Sequence, residues 1–295
     1  MKRIRLSKED RIFTIVMGFI MGILCFLMIY PLYFIIVASF TDPYVVNSGK
    51  FLLWPEKLYL SGYKRIFEYM PLWRGYRNSI LYTALTVGCS MITTIPAAYV
   101  LSRKDMIGRN AIMMLFTFTM FFSGGIIPTY LLIRSLGMLN SIWAVILPAS
   151  GSAWNLIVAR TFFQESIPQD LLEASRIDGA DDFCFFFRIV LPLSKTILAV
   201  TALFFAVAQW NSYFSALMYL NEDSKMPLQL VLRNLILINS TTDMLGDAMG
   251  MEERARMAEQ MKYGIIVIGT VPLLVVYVFL QKFFAKGIMI GAVKG

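Results

Sequence analysis

Six long stretches of the chain contain no Asp, Glu, Lys or Arg: residues 12–41, 78–102, 110–133, 135–159, 196–221 and 263–281. A helix crosses the hydrocarbon of a bilayer with about 20 mostly apolar residues, so each stretch is long enough for one crossing. Only 16% of the residues are charged, against roughly 25% in soluble domains, and the mean hydropathy is +0.65. In lipid the backbone must satisfy its own polar groups, which leaves helices as the simplest solution. The pattern predicts an all-α polytopic membrane bundle of six transmembrane helices.

The N-terminal "MKRIRLSKEDR" precedes an apolar stretch far longer than the 7–15 residues of a signal-peptide core, so the first span is expected to be retained. Lys2, Arg3, Arg5, Lys8 and Arg11 lie before it, Arg103, Lys104 and Arg109 follow the second span, and the short loop after the third holds only Arg134. Basic residues in short loops favour the cytoplasmic side, so both termini are expected inside. The expected organisation is a cytoplasmic tail over residues 1–11, a transmembrane domain over 12–284 and a cytoplasmic tail over 285–295. Within it, residues 166–192 form the longest internal cytoplasmic connection and 222–262 a long outer loop.

Several chemistries are closed off. There is no histidine, and Cys25, Cys89 and Cys184 give neither a disulfide framework nor a zinc site. The six stretches hold no ionisable acid or base of the kind that proton-coupled carriers place at membrane depth. Neither G-x-x-x-x-G-K-[ST] nor G-x-G-x-x-G occurs, so any nucleotide that drives this protein is bound by another polypeptide. No cofactor, metal or nucleic-acid partner is expected.

The segment "SIPQDLLEASRIDGADDFCFFFRIVLP" stands out as a charged insertion in an apolar chain. Ser166 and Gln169 have capping-box spacing, Pro168 fits a first turn, and Gly179 is the residue most easily placed in the left-handed conformation that closes a helix. Asp181 or Asp182 can cap a second short helix that runs until Pro192. On it Phe183, Phe186, Phe187 and Val190 share one face by spacing. Two readings stay open at this point: a docking element with small residues at 174 and 175 beside Glu173, or an amphipathic hairpin resting on lipid headgroups.

"EASRIDGADDFCFFFRIVLP" resembles the cytoplasmic motif of ATP-binding-cassette importer permeases, with Ser175 where that family has alanine. "FSGGIIPTYLLIRSLGMLNSIWAVILP", "VARTFFQESIP", "PLQLVLRNL" and "KGIMIGAVKG" are similar to the carbohydrate-uptake class, in the branch of lipoprotein and polysaccharide permeases. The resemblance implies a type I importer permease fold and a non-catalytic subunit of a bacterial cell membrane. The implied partners are a second permease in a heterodimer, a cytoplasmic ATPase dimer, an extracytoplasmic solute-binding protein, lipid and a carbohydrate substrate. It further implies that Glu173 contacts the ATPase, that Ala174 and Ser175 lie against its cleft, that Asp178 belongs to the same ATPase-coupling set, that Gly179 forms the elbow, and that Phe183 and its neighbours brace the second helix. Gly291, Lys294 and Gly295 are expected to reach the ATPase from the tail.

In "AQWNSYF", Gln209, Trp210, Asn211 and Tyr213 place amides and aromatic rings at membrane depth. Such groups line a sugar path or bond between helices; both readings are open. Gly18 and Gly22 are read as ordinary close packing, and Pro31, Pro96, Pro128, Pro148 and Pro272 as kinks. The outer 222–262 segment, with charged and apolar residues at helical spacing, is expected to meet the binding protein. The alternatives to sugar import are import of another solute, such as a peptide or polyol, and a membrane scaffold without transport.

Overall fold

The computed structural model describes residues 7–49, 53–55, 57–242 and 251–292; for 238–242, 251–255, 280 and 282–292 it describes the backbone alone. The elements are α1 (Lys8–Phe40), α2 (Pro43–Asn47), α3 (Ser61–Glu68), α4 (Met70–Ser102), α5 (Arg109–Phe121), α6 (Ile126–Ser135), α7 (Trp143–Ala149) and α8 (Ala153–Ser166). They continue as α9 (Gln169–Ile177), α10 (Asp182–Phe185), a π-turn (Phe186–Val190), α11 (Leu191–Leu193), α12 (Lys195–Trp210), α13 (Phe214–Tyr219), a 3-10 turn (Asp223–Lys225), α14 (Leu228–Thr242) and α15 (Met251–Ala292). The β structure among the described residues is one isolated bridge, Thr41 to Leu58.

Three helical stretches are long and apolar enough to cross a bilayer unaided: Lys8–Phe40, Met70–Ser102 and Arg256–Phe279. Two bent pairs, α5 with α6 at 112° and Asp182–Leu193 with α12 at 80°, bring the total to five if each is one span. The expected six are therefore not confirmed. Counting uncharged residues does not register breaks: the 110–133 stretch is interrupted before Gly125, whose φ is +87°, and the 135–159 stretch is split between α7 and α8 at Ser150–Ser152. Four of the five prolines flagged as kinks lie inside continuous helices; Pro128 sits in the first turn of α6, just after the break.

α1 starts on a reciprocal cap, in which the Asp10 N–H donates to Ser7 Oγ and the Ser7 N–H to Asp10 Oδ2, both at 3.2 Å. Its most apolar window buries nothing against the rest of the chain. A helix apolar all round, and unburied, needs lipid or another helix as its surroundings.

The chain divides into two compact units: Met1–Tyr69 with Asn234–Thr270, and Met70–Arg233 with Val271–Gly295. In the first, Val37, Ala38 and Val46 pack with Tyr33, Phe34 and Tyr263, and the Arg256 guanidinium lies 3.7 Å from the centre of the Tyr44 ring. In the second, α4 is the spine on which α8 and α12 pack. One core joins Ile95, Ala98 and Tyr99 of α4 to Ala159 and Phe163 of α8, to Ile197 of α12, and to Phe185, Phe186 and Val190. A further core gathers Tyr82, Val145, Ile146, Ala216 and Leu230.

Candidate functional site

The charged insertion folds as two short helices at an elbow. α9 begins at Pro168 with no side-chain cap, so the expected Ser166 capping box does not form. Ser166 instead ends α8, because that helix runs on until Pro168 forces an extended backbone. Asp170 in the first turn and Arg176 in the last complement the helix dipole. The helix closes at Gly179, whose φ is +80°, with the Ala180 N–H donating to the Ser175 carbonyl at 2.9 Å and the Gly179 N–H to that of Arg176 at 3.1 Å. The chain restarts at Asp181, whose Oδ1 accepts from the Cys184 N–H at 2.7 Å.

Glu173, Ala174, Asp178 and Gly179 are exposed. The Glu173 carboxylate is steadied by Gln169, whose Nε2 donates to Oε1 at 3.0 Å. Ser175 is different: it is buried within the chain, its hydroxyl donating to the Leu172 carbonyl at 2.8 Å, so its side chain does not offer the cleft contact expected of it. Small size at 175 serves packing beneath the helix.

The phenylalanine run divides otherwise than its spacing predicts. Phe185, 1% exposed, enters the core with Phe186 and Val190, while Phe183 at 76% and Phe187 at 60% point outward. The reason is the π-turn over Phe186–Val190: its wider winding rotates the residues away from regular i, i+3, i+4 alignment. Bracing against the bundle falls to Phe185 and Phe186 instead of Phe183. Phe186 lies 5.0 Å from the Tyr99 ring of α4, which meets Phe163 edge-on at 5.9 Å.

A polar tie joins this element to the end of α4. Arg103 grips Asp105 with two hydrogen bonds, Nε to Oδ1 at 2.9 Å and Nη2 to Oδ2 at 2.6 Å, and reaches Asp182 Oδ1 at 2.8 Å through Nη1. Arg176 of α9 stands 3.5 Å from Asp105 and 3.6 Å from Asp182. The bonds from Arg103 hold the Asp105 carboxyl down at about 2, and the same bonds push the Arg103 guanidinium further up. Arg160 Nε donates to the Leu101 carbonyl and Arg109 Nη1 to that of Arg103, each at 3.0 Å. A groove of about 530 Å³ beside this tie is lined by Arg103, Arg109, Gln164, Gln169, Glu173 and Arg176 among others. The sequence signalled Arg103 and Arg109 only as topology markers; Asp105, two residues on, was the available hint.

At the other end of the same unit, Gln209 and Trp210 come together at the end of α12, both buried, with Trp210 6.3 Å from the Tyr76 ring of α4. Among the described residues the buried Gln209 Oε1 has no hydrogen-bond partner. Asn211 and Tyr213 are exposed instead, and Asn211 donates from Nδ2 to the Val207 carbonyl at 3.0 Å. The four are thus split between an interior pair and an outward pair.

The 221–228 segment is pinned to α4: Asn78 Nδ2 donates to the Ser224 and Met226 carbonyls, Tyr82 to that of Lys225, and Leu228 N–H to Ser79 Oγ. Asn140, with φ +59°, donates to Glu222 Oε1 at 2.5 Å, and its carbonyl accepts from Lys225 Nζ at 2.8 Å. In the first unit, Gln260 and Met261 are buried while Glu259 and Lys262 form an ion pair at 3.3 Å on the outside. The described tail is helical through Ala292, which places Gly291 in a helical turn; Lys294 and Gly295 lie outside the described residues.

Comparison with known proteins gives this geometry a family. A polygalacturonan/rhamnogalacturonan transport system permease protein, YtcP of Bacillus subtilis (strain 168), is 42% identical over 97% of this chain and 100% of its own length. Protein LplC of the same organism is 40% identical over 98% of this chain and 97% of its own. A chain from the crystal structure of a bacterial ABC transporter involved in the import of the acidic polysaccharide alginate aligns with TM-score 0.81 and 32% identity, covering 95% of this chain and 99% of that one. The family described as binding-protein-dependent transport system inner membrane component matches residues 70–290, which span the α4 spine, the elbow and most of α15, and the chain belongs to that family.

Proposed function

We propose that this chain is the permease subunit of an ATP-driven, binding-protein-dependent importer for an oligosaccharide, and specifically for an acidic one released from a polysaccharide. The observation that carries the reading is the elbow: an exposed helix bearing Glu173, Ala174 and Asp178, closed at Gly179 and seated on the bundle through Phe185 and Phe186. A lipid-resting hairpin needs a continuous apolar face turned outward along both helices; on α9 the exposed Leu171 and Ile177 are interspersed with exposed Asp170, Glu173 and Arg176. That suits a rigid foot pressed by a motor on another chain.

In this reading six crossings are counted as the three long helices, α5 with α6, α7 with α8, and α12 with α13, with both termini cytoplasmic in a bacterial cell membrane. A second permease completes the pathway, an ATPase dimer docks at the elbow and near the tail residues Gly291, Lys294 and Gly295, and a solute-binding protein docks outside on the 222–262 segment. Asn211 and Tyr213 offer the sugar an amide and a ring from the end of α12. The buried Gln209 oxygen beside them has acceptor capacity to spare. The acidic class follows from the relatives, whose names specify polygalacturonan and alginate.

The test is uptake by the complete complex in proteoliposomes, with binding protein and ATP, of labelled oligogalacturonides, neutral oligosaccharides, a polyol and a peptide. Saturable, ATP-dependent uptake of the oligogalacturonide alone is expected. Uptake of the polyol or peptide in its place rejects the substrate class, and a chain that never copurifies with an ATPase rejects the importer.

A further inference from the structure

Four alternating charges form a closed ring where the coupling element meets the bundle. Arg103 and Asp105 stand on the loop that leaves α4, Arg176 on the last turn of α9, and Asp182 at the start of α10. Each arginine reaches both aspartates, and each aspartate both arginines, at 2.6 to 3.6 Å. Two cations and two anions cancel, so no charge is left over for an outside partner to neutralise.

The members are not equivalent. The Arg103 side chain is only 14% exposed, whereas Asp105, Asp182 and Arg176 are about half exposed, at 50%, 56% and 52%. Arg103 also gives Asp105 a two-pronged grip that a lysine could not reproduce. An exposed ion pair contributes little, but removing one partner of a largely buried one leaves the other uncompensated. The strength of the ring therefore concentrates at Arg103. Beneath it the contact is largely apolar, Tyr99 against Phe186, which resists compression more than it resists sliding. The ring supplies the missing restraint against lateral movement.

We propose that Arg103 is a positioning residue for energy coupling: through the ring it makes α9, α10 and the end of α4 move as one body. Displacement of the elbow is thereby delivered to α4, the spine of the unit, and not lost as slippage along the apolar contact. This rests on the importer reading above, because it presumes that the elbow is what the ATPase moves.

The test uses the full complex with its ATPase and binding protein in proteoliposomes, comparing Arg103→Met, Arg103→Lys and Arg176→Gln. Arg103→Met is expected to copurify with the ATPase and keep basal hydrolysis, while transport per ATP hydrolysed falls about fivefold or more, the lower end of ordinary coupling energies. Arg103→Lys, which keeps the charge but not the two-pronged grip, is expected to recover part of that ratio, which a loss of side-chain packing alone would not predict. Wild-type transport per ATP in Arg103→Met overturns the proposal while leaving the importer intact, since wild-type complex is measured beside it. Should Arg103→Met fail to insert, Arg176→Gln decides: a reduced ratio with the ATPase still bound supports the ring, and an unchanged ratio overturns it.

Discussion

Gln260 and Gly62, 198 residues apart, meet at 2.7 Å, where the Gly62 N–H donates to the Gln260 side-chain oxygen. The same amide donates to the Ser39 carbonyl at 3.0 Å and to that of Tyr59, so one side chain ties α15 to the end of α1 and the start of α3. Gln260 is 1% exposed, and a Cβ on Gly62 would stand 2.6 Å from its oxygen.

Gly62→Ala is therefore expected to force this side chain aside at a cost of about 1–3 kcal/mol. Gln260→Leu leaves a buried N–H and two carbonyls unserved, at about 1–3 kcal/mol for each lost group and with sums that are not additive. Thermal unfolding in detergent should show both variants melting below wild type, Gln260→Leu the lower. An unchanged midpoint for Gln260→Leu would mean that the tie contributes nothing.

Gly179 and Glu173 separate backbone strain from surface chemistry. Among the described residues nothing lies within 4 Å of a Cβ at Gly179, so space is not the constraint; φ of +80° is. Gly179→Val should strain the elbow by about 1–3 kcal/mol, and Gly179→Asn, which tolerates the left-handed region, should cost less. Glu173→Ala should leave the elbow intact and weaken ATPase copurification. The measurements are copurification and substrate-stimulated hydrolysis; equal behaviour of the Val and Asn variants would remove the backbone argument.

What was legible in advance is what local chemistry decides. Gly179 and Asp181 were readable because a left-handed closure and an N-terminal cap each depend on a few adjacent residues. The membrane class was readable because lipid selects composition over whole stretches. The span count was not, since the break before Gly125 and the one between α7 and α8 interrupt runs that are apolar throughout. Gln260 lies in the 222–262 segment expected outside, and only the fold reveals that its neighbours are Gly62, Ser39 and Tyr59. Arg103 was read as a marker of topology, because a positive charge in a short loop is sufficiently explained by orientation until Asp182 is brought beside it.

Asp105 sets a pH expectation. A carboxylate titrates near 3.9 when free, and Arg103 holds this one at about 2. A lowered pKa means that its contribution is complete above about pH 4 and is lost as pH falls through about 2. Because the side chain is half exposed, that contribution is about 1 kcal/mol or less after screening. Transport per ATP should thus be flat, as far as this group decides it, from about pH 5.5 to about 8, and Asp105→Asn should lower it evenly across that range. A titration step inside the range that disappears in Asp105→Asn would contradict the assignment.

Phe183 and Phe185 give the sharpest contrast, because they are two residues apart in sequence and opposite in environment. Phe185 is packed with Tyr99, Phe163 and Val190 in the core, whereas Phe183 borders an outward apolar recess with Pro96, Val100, Met106 and Phe187. Truncating a fully buried phenylalanine to alanine costs about 3–5 kcal/mol, so Phe185→Ala should lower the melting temperature and unseat α10. Phe183→Ala removes little buried area within this chain and should melt as wild type. If the regular helical face read from spacing were the true one, the two outcomes would be exchanged. Melting curves for the two variants decide between a π-turn that rotates Phe185 inward and an unbroken helix that would bury Phe183.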